Sequence, residues 1–592
     1  MRVVLRRFSR LALCAATALS LPAPVSPAFA AQGRDGQPTA QACEALGFRQ
    51  SEGGDVSYRL GGKRSHAVPL AAPPPPPPPV APVPPPRNAV LAPSAVQEMV
   101  VSGGRRQPGA TRMAGDIETE RYPHAQMNPI KRVAEEPVST FSVDVDTAAY
   151  ANVRRMLNDG TRPPADAVRT EELVNYFDYG YEAPTDRSQP FKPSVAVTPA
   201  PWAADHQVIR IGLQGYDIPR AEQPPLNLVF LIDTSGSMAS EERLPLAKKA
   251  LNLLIDQLRP QDHVAMVAYA GSAGAVLGST DGTQKLKMRC ALGALESGGS
   301  TAGGEGLALA YKVAEQNFDP KAVNRVILMT DGDFNVGVAD PNKLKDFVAE
   351  KRRTGVYLSV YGFGGGNYND LMMQSLAQNG NGTAGYIDTL NEARKSFRDD
   401  FSGSLFPIAD DVKVQVEFNP ARVSEYRLIG YETRLLNRED FNNDKVDAGE
   451  VGSGTSVTAL YEITPVGARP SSDPLRYGRA TAAPPSVPTG ELAYLKIRYK
   501  LPGQPASRLI ERPIGASDAY ASIESAPESA RWALAVAGFG QKLRHDPWVS
   551  DRFGWSEIGG LAQGARGKDP FGLRAEFVQL VRAAGEAKSV NE

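Results

Sequence analysis

The chain has 592 residues, more than one hydrophobic core usually organises, so the sequence predicts roughly two or three domains. Its 65 Lys and Arg residues nearly balance its 66 Asp and Glu residues, which leaves a formal net charge of −1 at pH 7. A nucleic-acid-binding protein would be expected to carry a basic domain or stripe, and this balance argues against that class.

Residues 1–30 predict a secretory signal peptide. Four arginines among the first ten residues precede a short apolar stretch, and Ala28-Phe29-Ala30 is an A-x-A cleavage pattern. The apolar stretch is too short and too interrupted by proline for a comfortable membrane span, and no later segment approaches the length of one. We therefore expect an exported protein of the periplasm or cell envelope, with an extracellular location as an alternative. Lipid attachment at Cys14 is a less favoured alternative.

Residues 31–125 predict a disordered spacer. The segment Ala71–Pro86 contains 11 prolines among its 16 residues, which favours a polyproline II rod. The 14 residues of Pro73–Pro86 would extend over ~43 Å at about 3.1 Å per residue. Removal of the signal peptide leaves Cys43 and Cys290, too few for a disulfide framework, so we expect structural or incidental thiols.

Residues 126–220 mix strand and helix patterns. A strand is predicted at Thr140–Val145, followed by a helix whose apolar residues have helical spacing (Ala149, Val153 and Met156). Residues 170–181 read as a second helix. In residues 209–213, Ile and Leu alternate with Arg and Gly, which is typical of a half-buried strand.

Residues 221–405 alternate strand and helix patterns with good regularity. Four near-continuous apolar runs predict strands, at residues 227–232, 264–270, 325–329 and 356–363. Helical patterns lie between and after them, at residues 244–258, 284–295, 304–318, 341–353 and 369–378. Apolar strands separated by helices predict a doubly wound, mostly parallel α/β sheet covered on both faces.

Residues 406–592 are β-rich and then helical. Strands are predicted near residues 412–419, 426–432, 455–464 and 491–500, and helices at residues 530–544 and 573–585. Ser525-Ala526-Pro527-Glu528 has the pattern of a capping box that opens the first of these helices. Because strand patterns flank the α/β region, we also expect Val195–Leu213 and Val412–Lys500 to pair into one β-domain around it.

Polar residues follow two of the predicted parallel strands. One run ends in Asp233 and is followed by Ser235 and Ser237, and another ends in Asp331. If the strand order is 3-2-1-4-5-6, the first and fourth strands are neighbours, and both aspartates face one crevice at the carboxyl ends of the strands. A Gly-rich loop then brings the hydroxyl of Thr301 to the same place.

These five side chains offer two carboxylates and three hydroxyls, all hard oxygen donors. Such a set favours Mg²⁺, with Mn²⁺ or Ca²⁺ as alternatives, over the ions that prefer imidazole and thiolate. Two carboxylates neutralise one divalent cation, and the hydroxyls add no charge. An open coordination position would therefore accept an Asp or Glu carboxylate from a protein partner, which explains why serines follow Asp233 in place of further carboxylates.

The run Asp233-Thr234-Ser235-Gly236-Ser237 fits the DxSxS signature of von Willebrand factor type A (VWA) domains. Thr301 and Asp331 stand where that family completes its metal-ion-dependent adhesion site. The resemblance implies that Ser235, Ser237 and Thr301 bind Mg²⁺ directly, and that Asp233 and Asp331 act mainly through water. Residues 126–220 and 406–592 resemble the corresponding segments of the bacterial YfbK-type proteins.

The sequence thus predicts a metal-dependent protein-binding protein, with no enzymatic activity. The alternative is an envelope scaffold whose metal site only stabilises its domain. A hydrolase is not favoured because no nucleophile–base pair is present, and the phosphatase-like pattern at Asp144 and Asp146 has Ala148 at its fifth position. Asp333 is interpreted as a loop residue in preference to a sixth metal ligand.

Overall fold

A computed structural model describes residues 38–48, 120–301, 303–332, 341–366, 368–473 and 490–588. The predicted signal peptide and the proline-rich segment lie outside these residues. None of the described helices combines the length and the apolar character that a membrane span requires.

The described strands, in chain order, are β1 (Lys131–Arg132), β2 (Val138–Ser142), β3 (Phe191–Pro199), β4 (Gln207–Gly215), β5 (Leu226–Asp233), β6 (His263–Tyr269), β7 (Ala273–Asp281), β8 (Val323–Thr330), β9 (Val356–Phe363), β10 (Ala384–Ile387), β11 (Pro407–Phe418), β12 (Val423–Ile429), β13 (Gly449–Gly452), β14 (Ser456–Pro465), β15 (Glu491–Lys500) and β16 (Ser507–Gly515).

The described α-helices are α1 (Ala40–Ala45), α2 (Ala148–Asn158), α3 (Thr170–Asn175), α4 (Leu244–Gln257), α5 (Lys285–Gly293), α6 (Gly303–Gln316), α7 (Pro341–Arg353), α8 (Asp370–Asn379), α9 (Leu390–Arg394), α10 (Phe401–Leu405), α11 (Glu528–Leu543), α12 (Trp555–Gly564) and α13 (Leu573–Glu586). Short 3₁₀ turns occupy Ala165–Ala167, Gly236–Ala239, Glu432–Arg434, Arg438–Asn442 and Ala516–Asp518, and a π-helical turn occupies Lys395–Asp399.

The central α/β domain contains one six-stranded sheet in the order β10-β9-β8-β5-β6-β7. All neighbours pair in parallel except β6 and β7, which are antiparallel. Numbered within the domain, the order is 3-2-1-4-5-6, so the predicted fold and the predicted adjacency of the first and fourth strands are confirmed. The sequence patterns missed β7 and β10, the two edge strands, because an edge strand needs no continuous apolar run.

The buried side chains of β5 divide between two faces of the sheet. Leu228, Phe230 and Ile232 belong to one hydrophobic core, with residues of α4. The intervening Val229 and Leu231 belong to a second core, with residues of α6, α7 and α8. Successive side chains of a strand point to opposite faces, so helices on both sides explain why the strand is apolar throughout.

Two further sheets flank the α/β domain. The first has the order β1-β12-β14-β4-β3, and β4 pairs antiparallel with β14 along Gln207–Gln214. The second has the order β13-β11-β15-β16, and β2 also pairs with β11. Tyr461 of the first sheet packs on Phe418 of the second with ring centroids 5.3 Å apart, so the two sheets share one core. The expected pairing of strands before and after the α/β domain is confirmed.

Two local predictions are wrong. Residues 209–213 are buried on both faces, and Arg210, which is 3% exposed, lies over the ring of Tyr181 at 4.8 Å. The half-buried pattern was misleading because the segment that carries Tyr181 covers the outer face of this strand. The capping box is also absent: Pro527 caps α11, while the Ser525 hydroxyl donates a hydrogen bond to the carbonyl of Ser522 at 2.8 Å.

The interpretation of the two cysteines as unpaired thiols is wrong as well. Cys43 and Cys290 form a disulfide with Cα atoms 5.2 Å apart, which joins α1 to α5 across 247 residues. Phe48, just after α1, contributes to the core of the α/β domain. Disorder over residues 31–125 is therefore wrong for residues 38–48. A short helix held by a distant cysteine leaves no apolar periodicity in the sequence.

The C-terminal helices α11, α12 and α13 pack against α2 and α3. A buried ionic cluster joins them to the α/β domain; we call it the junction network (Arg154, Tyr176, Asp388, Glu392 and Glu576). Arg154 is 0% exposed, and its five N–H donors reach all four of the other side chains. Three parts of the chain are thus joined through one guanidinium.

Candidate metal centre

Asp233 ends β5 with a carboxylate that is fully buried. Its Oδ1 accepts a hydrogen bond from the backbone N–H of Ser235 at 2.9 Å. Its Oδ2 accepts from the Tyr269 hydroxyl at 3.0 Å and from the Thr330 hydroxyl at 3.1 Å. Burial raises the pKa of Asp233, and the nearby Asp331 raises it further, against the lowering effect of the Ser235 hydrogen bonds.

The loop after β5 presents two serine hydroxyls. Ser235 Oγ lies 3.0 Å from Ser237 Oγ, so both hydroxyls point to one place although one residue lies between them. Ser235 is buried and Ser237 is exposed. The pair therefore connects the buried carboxylate of Asp233 with the solvent-facing rim of the sheet.

The Gly-rich loop that carries Thr301 is held against the β5 loop by two backbone hydrogen bonds. Gly298 N donates to Thr234 O at 2.7 Å, and Gly236 N donates to Gly299 O at 3.1 Å. Thr301 follows two residues later and is half-buried. The loop thus brings Thr301 to the same edge of the sheet as the two serines.

Asp331 directly follows β8, the strand that pairs in parallel with β5. Its carboxylate is 0% exposed, and its Oδ2 lies 3.0 Å from Nη1 of Arg243. We call this end of β5 and β8, with its loops, the carboxyl edge (Asp233, Ser235, Ser237, Thr301 and Asp331). The structure brings all five predicted residues to it, and their individual ligand roles stay predictions.

The donor chemistry of the carboxyl edge fits a divalent cation. Two buried carboxylates lie close enough for one to raise the pKa of the other, and such repulsion is relieved by a cation. The three hydroxyls add neutral oxygen donors, which suit Mg²⁺, Mn²⁺ or Ca²⁺. Within the described ranges no three His, Cys, Asp or Glu residues form a metal-holding group, so a site here depends on its hydroxyls.

Sequence reasoning missed three residues of the centre. Tyr269 and Thr330 orient Asp233 from the neighbouring strands, and Arg243 pairs with Asp331. Thr330 could have been found from its position directly before Asp331. Tyr269 and Arg243 carry no sequence signal of this kind, because only the strand register and the start of α4 bring them here. Asp333 lies outside the described residues.

The two carboxylates of the phosphatase-like pattern, Asp144 and Asp146, form ion pairs with Arg434. Arg434 Nε donates to Asp144 Oδ2 at 2.9 Å, and Arg434 Nη2 lies 3.7 Å from Asp146 Oδ2. The backbone N–H of Ala384 donates to Asp146 Oδ1 at 3.0 Å. These contacts join the N-terminal segment to the C-terminal region through Arg434 and to the α/β domain through Ala384, which is a structural role.

Family models match most of the described chain. The von Willebrand factor type A domain matches residues 227–399. A model described as von Willebrand factor matches residues 116–210, and one described as the C-terminal region of the uncharacterized protein YfbK matches residues 403–587.

Individual proteins agree with these matches. The uncharacterized protein YfbK of Escherichia coli K12 is 45% identical over 480 residues, which cover 80% of this chain and 82% of that protein. Inter-alpha-trypsin inhibitor heavy chain H3 of Pongo abelii is 25% identical over 40% of this chain and 29% of its own length. A solved structure described as von Willebrand factor type A from Catenulispora acidiphila is 18% identical, covers 69% of this chain and 91% of its own, and has a TM-score of 0.37.

Proposed function

Because the chain belongs to the YfbK-type family of VWA-domain proteins, we propose that it is an exported protein that binds a protein partner through a divalent cation at the carboxyl edge. VWA domains typically mediate interactions between proteins. The finer proposal is that this chain does so through a metal ion and an acidic residue of the partner.

The observation that carries the proposal is the placement of Asp233 at the end of β5 and of Asp331 directly after the neighbouring β8, beside hydroxyls that reach the surface. A divalent cation bound there would accept an oxygen from a partner carboxylate. Ser237 is exposed at this edge, so a partner can reach the centre without opening the fold.

The contacts of Asp233 support an indirect role for this residue. Three donors, from Ser235, Tyr269 and Thr330, already hold its two oxygens. A carboxylate fixed in this way orients its neighbours and supplies negative charge. The hydroxyls of Ser235, Ser237 and Thr301 are the better candidates for direct contact with Mg²⁺.

The disulfide between Cys43 and Cys290 supports export. Disulfides persist in oxidising compartments such as the bacterial periplasm and are rare in the cytosol. We expect both thiols to resist alkylation in protein isolated from the envelope and to react after reduction. Mass spectrometry of alkylated peptides checks this, and free thiols in the native protein would speak against export.

The test of binding compares wild type with Asp233→Ala and Thr301→Ala. We expect Mg²⁺ to raise the melting temperature of wild type and to be required for capture of a partner from envelope extract, and both effects to be lost in the variants. Asp256→Ala is the matched control, because Asp256 pairs with Arg289 at the surface and lies outside the centre. Circular dichroism verifies that each variant is folded.

Capture that persists in EDTA and in both variants would instead favour the scaffold alternative, in which other surfaces bind and the metal site only stabilises the domain. Melting temperatures that ignore both Mg²⁺ and the substitutions would contradict metal binding itself.

A further inference from the structure

Arg243 places a fixed positive charge inside the candidate metal centre. Its Nη1 donates to the carbonyl of Ser237 at 2.6 Å and lies 3.0 Å from Oδ2 of Asp331. Its Nη2 donates to the carbonyl of Gly365 at 2.5 Å. The guanidinium therefore touches the loop after β5, the loop after β9 and one of the two carboxylates.

The loop that receives Arg243 is itself held in place. Glu120, on the far side of this loop, accepts hydrogen bonds from Gly366 N at 2.9 Å and from Arg155 Nη2 at 2.8 Å. Gly364 has φ +70°, and a Cβ there would lie 2.5 Å from Cγ of Arg243. The close approach of the arginine stem thus depends on glycine, and the guanidinium is positioned before any ligand arrives.

Among the described side chains that meet at this centre, the charges do not cancel when a divalent cation is added. The carboxylates of Asp233 and Asp331 neutralise the cation, and the guanidinium of Arg243 remains as one positive charge. Without the cation, the same guanidinium neutralises one of the two carboxylates. Asp331 is fully buried, so these interactions are screened less than those at the surface.

We propose that Arg243 is the specificity-determining residue of this centre: it weakens binding of the divalent cation and makes the loaded centre prefer an anionic oxygen ligand. The proposal rests on the proposed function, since it assigns a role within the same site. Arg243 acts here through its charge and its fixed position.

The effect of Arg243 on cation binding and its effect on the choice of ligand are linked. A ligand that favours the loaded state must strengthen cation binding by the same factor as the cation strengthens ligand binding. A carboxylate that offsets the charge of Arg243 should therefore tighten cation binding in wild type and should do so less in a variant without that charge.

The experiment measures Mn²⁺ binding to the full exported chain by electron paramagnetic resonance of free Mn²⁺, with acetate or with chloride at equal ionic strength. The variants are Arg243→Gln, which removes the charge, and Arg243→Lys, which keeps it. Lys249→Gln is the matched control, because Lys249 lies on the same helix in an exposed pair with Glu241 at 3.6 Å. Asp233→Ala reports whether binding occurs at the centre.

In chloride, we expect Arg243→Gln to bind Mn²⁺ about tenfold more tightly than wild type. Acetate should tighten Mn²⁺ binding by about fivefold in wild type and have little effect in Arg243→Gln. Arg243→Lys and Lys249→Gln should behave like wild type in chloride. Mn²⁺ binding in Arg243→Gln but not in wild type would also support the proposal.

Equal or weaker Mn²⁺ binding in Arg243→Gln, or an acetate effect as large as in wild type, would overturn the role of Arg243 while leaving the metal site intact. If neither wild type nor Arg243→Gln binds Mn²⁺ more tightly than Asp233→Ala, the proposed function itself fails, and this inference fails with it.

Discussion

The carboxyl edge and the junction network both bury carboxylates beside arginine, and they differ in the groups that the guanidinium meets. At the junction, Arg154 directs all five of its N–H donors to Asp388, Glu392, Glu576 and Tyr176. At the carboxyl edge, Arg243 pairs with Asp331 and donates its other described hydrogen bonds to backbone carbonyls.

The two clusters also differ in their access to solvent. The junction network lies between α2, α9 and α13, where most of its members are inaccessible to solvent. The carboxyl edge ends at the exposed Ser237, so its charge can be balanced from outside. Buried carboxylates beside arginine are therefore no indication of function by themselves; access from solvent is needed as well.

The largest effect is expected for Arg154→Ala. Removal of the guanidinium leaves Asp388 and Glu392 buried without their cation, which should cost about 3–5 kcal/mol in the free energy of unfolding. Urea unfolding measures the loss, which should be the same with Mg²⁺ and with EDTA. Arg289→Ala, at an exposed pair with Asp256, is the control and should cost less than about 1 kcal/mol.

A second test uses Glu171, a buried carboxyl group outside the junction network. Among the described residues neither oxygen of Glu171 has a hydrogen-bond partner, and burial, with Glu432 and Glu172 nearby, raises its pKa from 4.5 to about 8. The folded protein therefore holds a proton that the unfolded chain releases, so stability falls as pH rises from 4.5 to about 8.

Glu171→Gln should consequently stabilise the protein by about 2 kcal/mol at pH 8 and have little effect below pH 4.5. Unfolding curves across this range give the measurement. Glu172→Gln is the adjacent control and should destabilise the protein, because Glu172 accepts hydrogen bonds from Ala149 N at 2.8 Å and Gln374 Nε2 at 2.9 Å besides its ion pair with Arg169, although burial raises the pKa of Glu172 as well. Equal behaviour of the two variants would refute this distinction.

A third test addresses the carboxyl edge. Asp331→Asn should abolish the stabilisation by Mg²⁺, which for an ion at tenfold its Kd amounts to about 1.4 kcal/mol. Stability in EDTA should change by less than this, because Arg243 keeps its contacts with Ser237 and Gly365. Differential scanning calorimetry with and without Mg²⁺ checks the result, and Asp256→Asn should respond to Mg²⁺ as wild type does. A persisting Mg²⁺ response in Asp331→Asn would remove this residue from the site.

The smallest effect is expected at the ion pair between His206 and Glu462, which belongs to neither cluster. A hydrogen bond to Glu462, with Nδ1 and Oε1 2.6 Å apart, raises the pKa of His206. The stabilisation by this pair is complete below the unfolded pKa of 6.5 and is lost as pH rises through the raised folded value. His206→Gln should therefore cost roughly 0.5–1 kcal/mol at pH 6 and nothing at pH 9, as measured by urea unfolding at both values. An equal cost at both pH values would mean that charge plays no part.

Much of the fold and the candidate site was predictable from local patterns. The apolar runs of β5, β6, β8 and β9 were recognisable because strands buried on both faces are continuous in sequence. Asp233 and Asp331 were recognisable because they end two such runs. The disulfide at Cys43 was not predictable because it depends on a distant partner, and the edge strands were not predictable because they need no continuous apolar run.

The sequence by itself determined the α/β domain, the five oxygen-bearing side chains of the carboxyl edge and the class of cation that they suit, because these follow from residue type and short-range spacing. Only the tertiary structure decided which of the flanking strands pair, β4 with β14, and that Arg243 meets Asp331. Strand pairing and charge pairing depend on which distant segments pack together, and no local spacing encodes that choice.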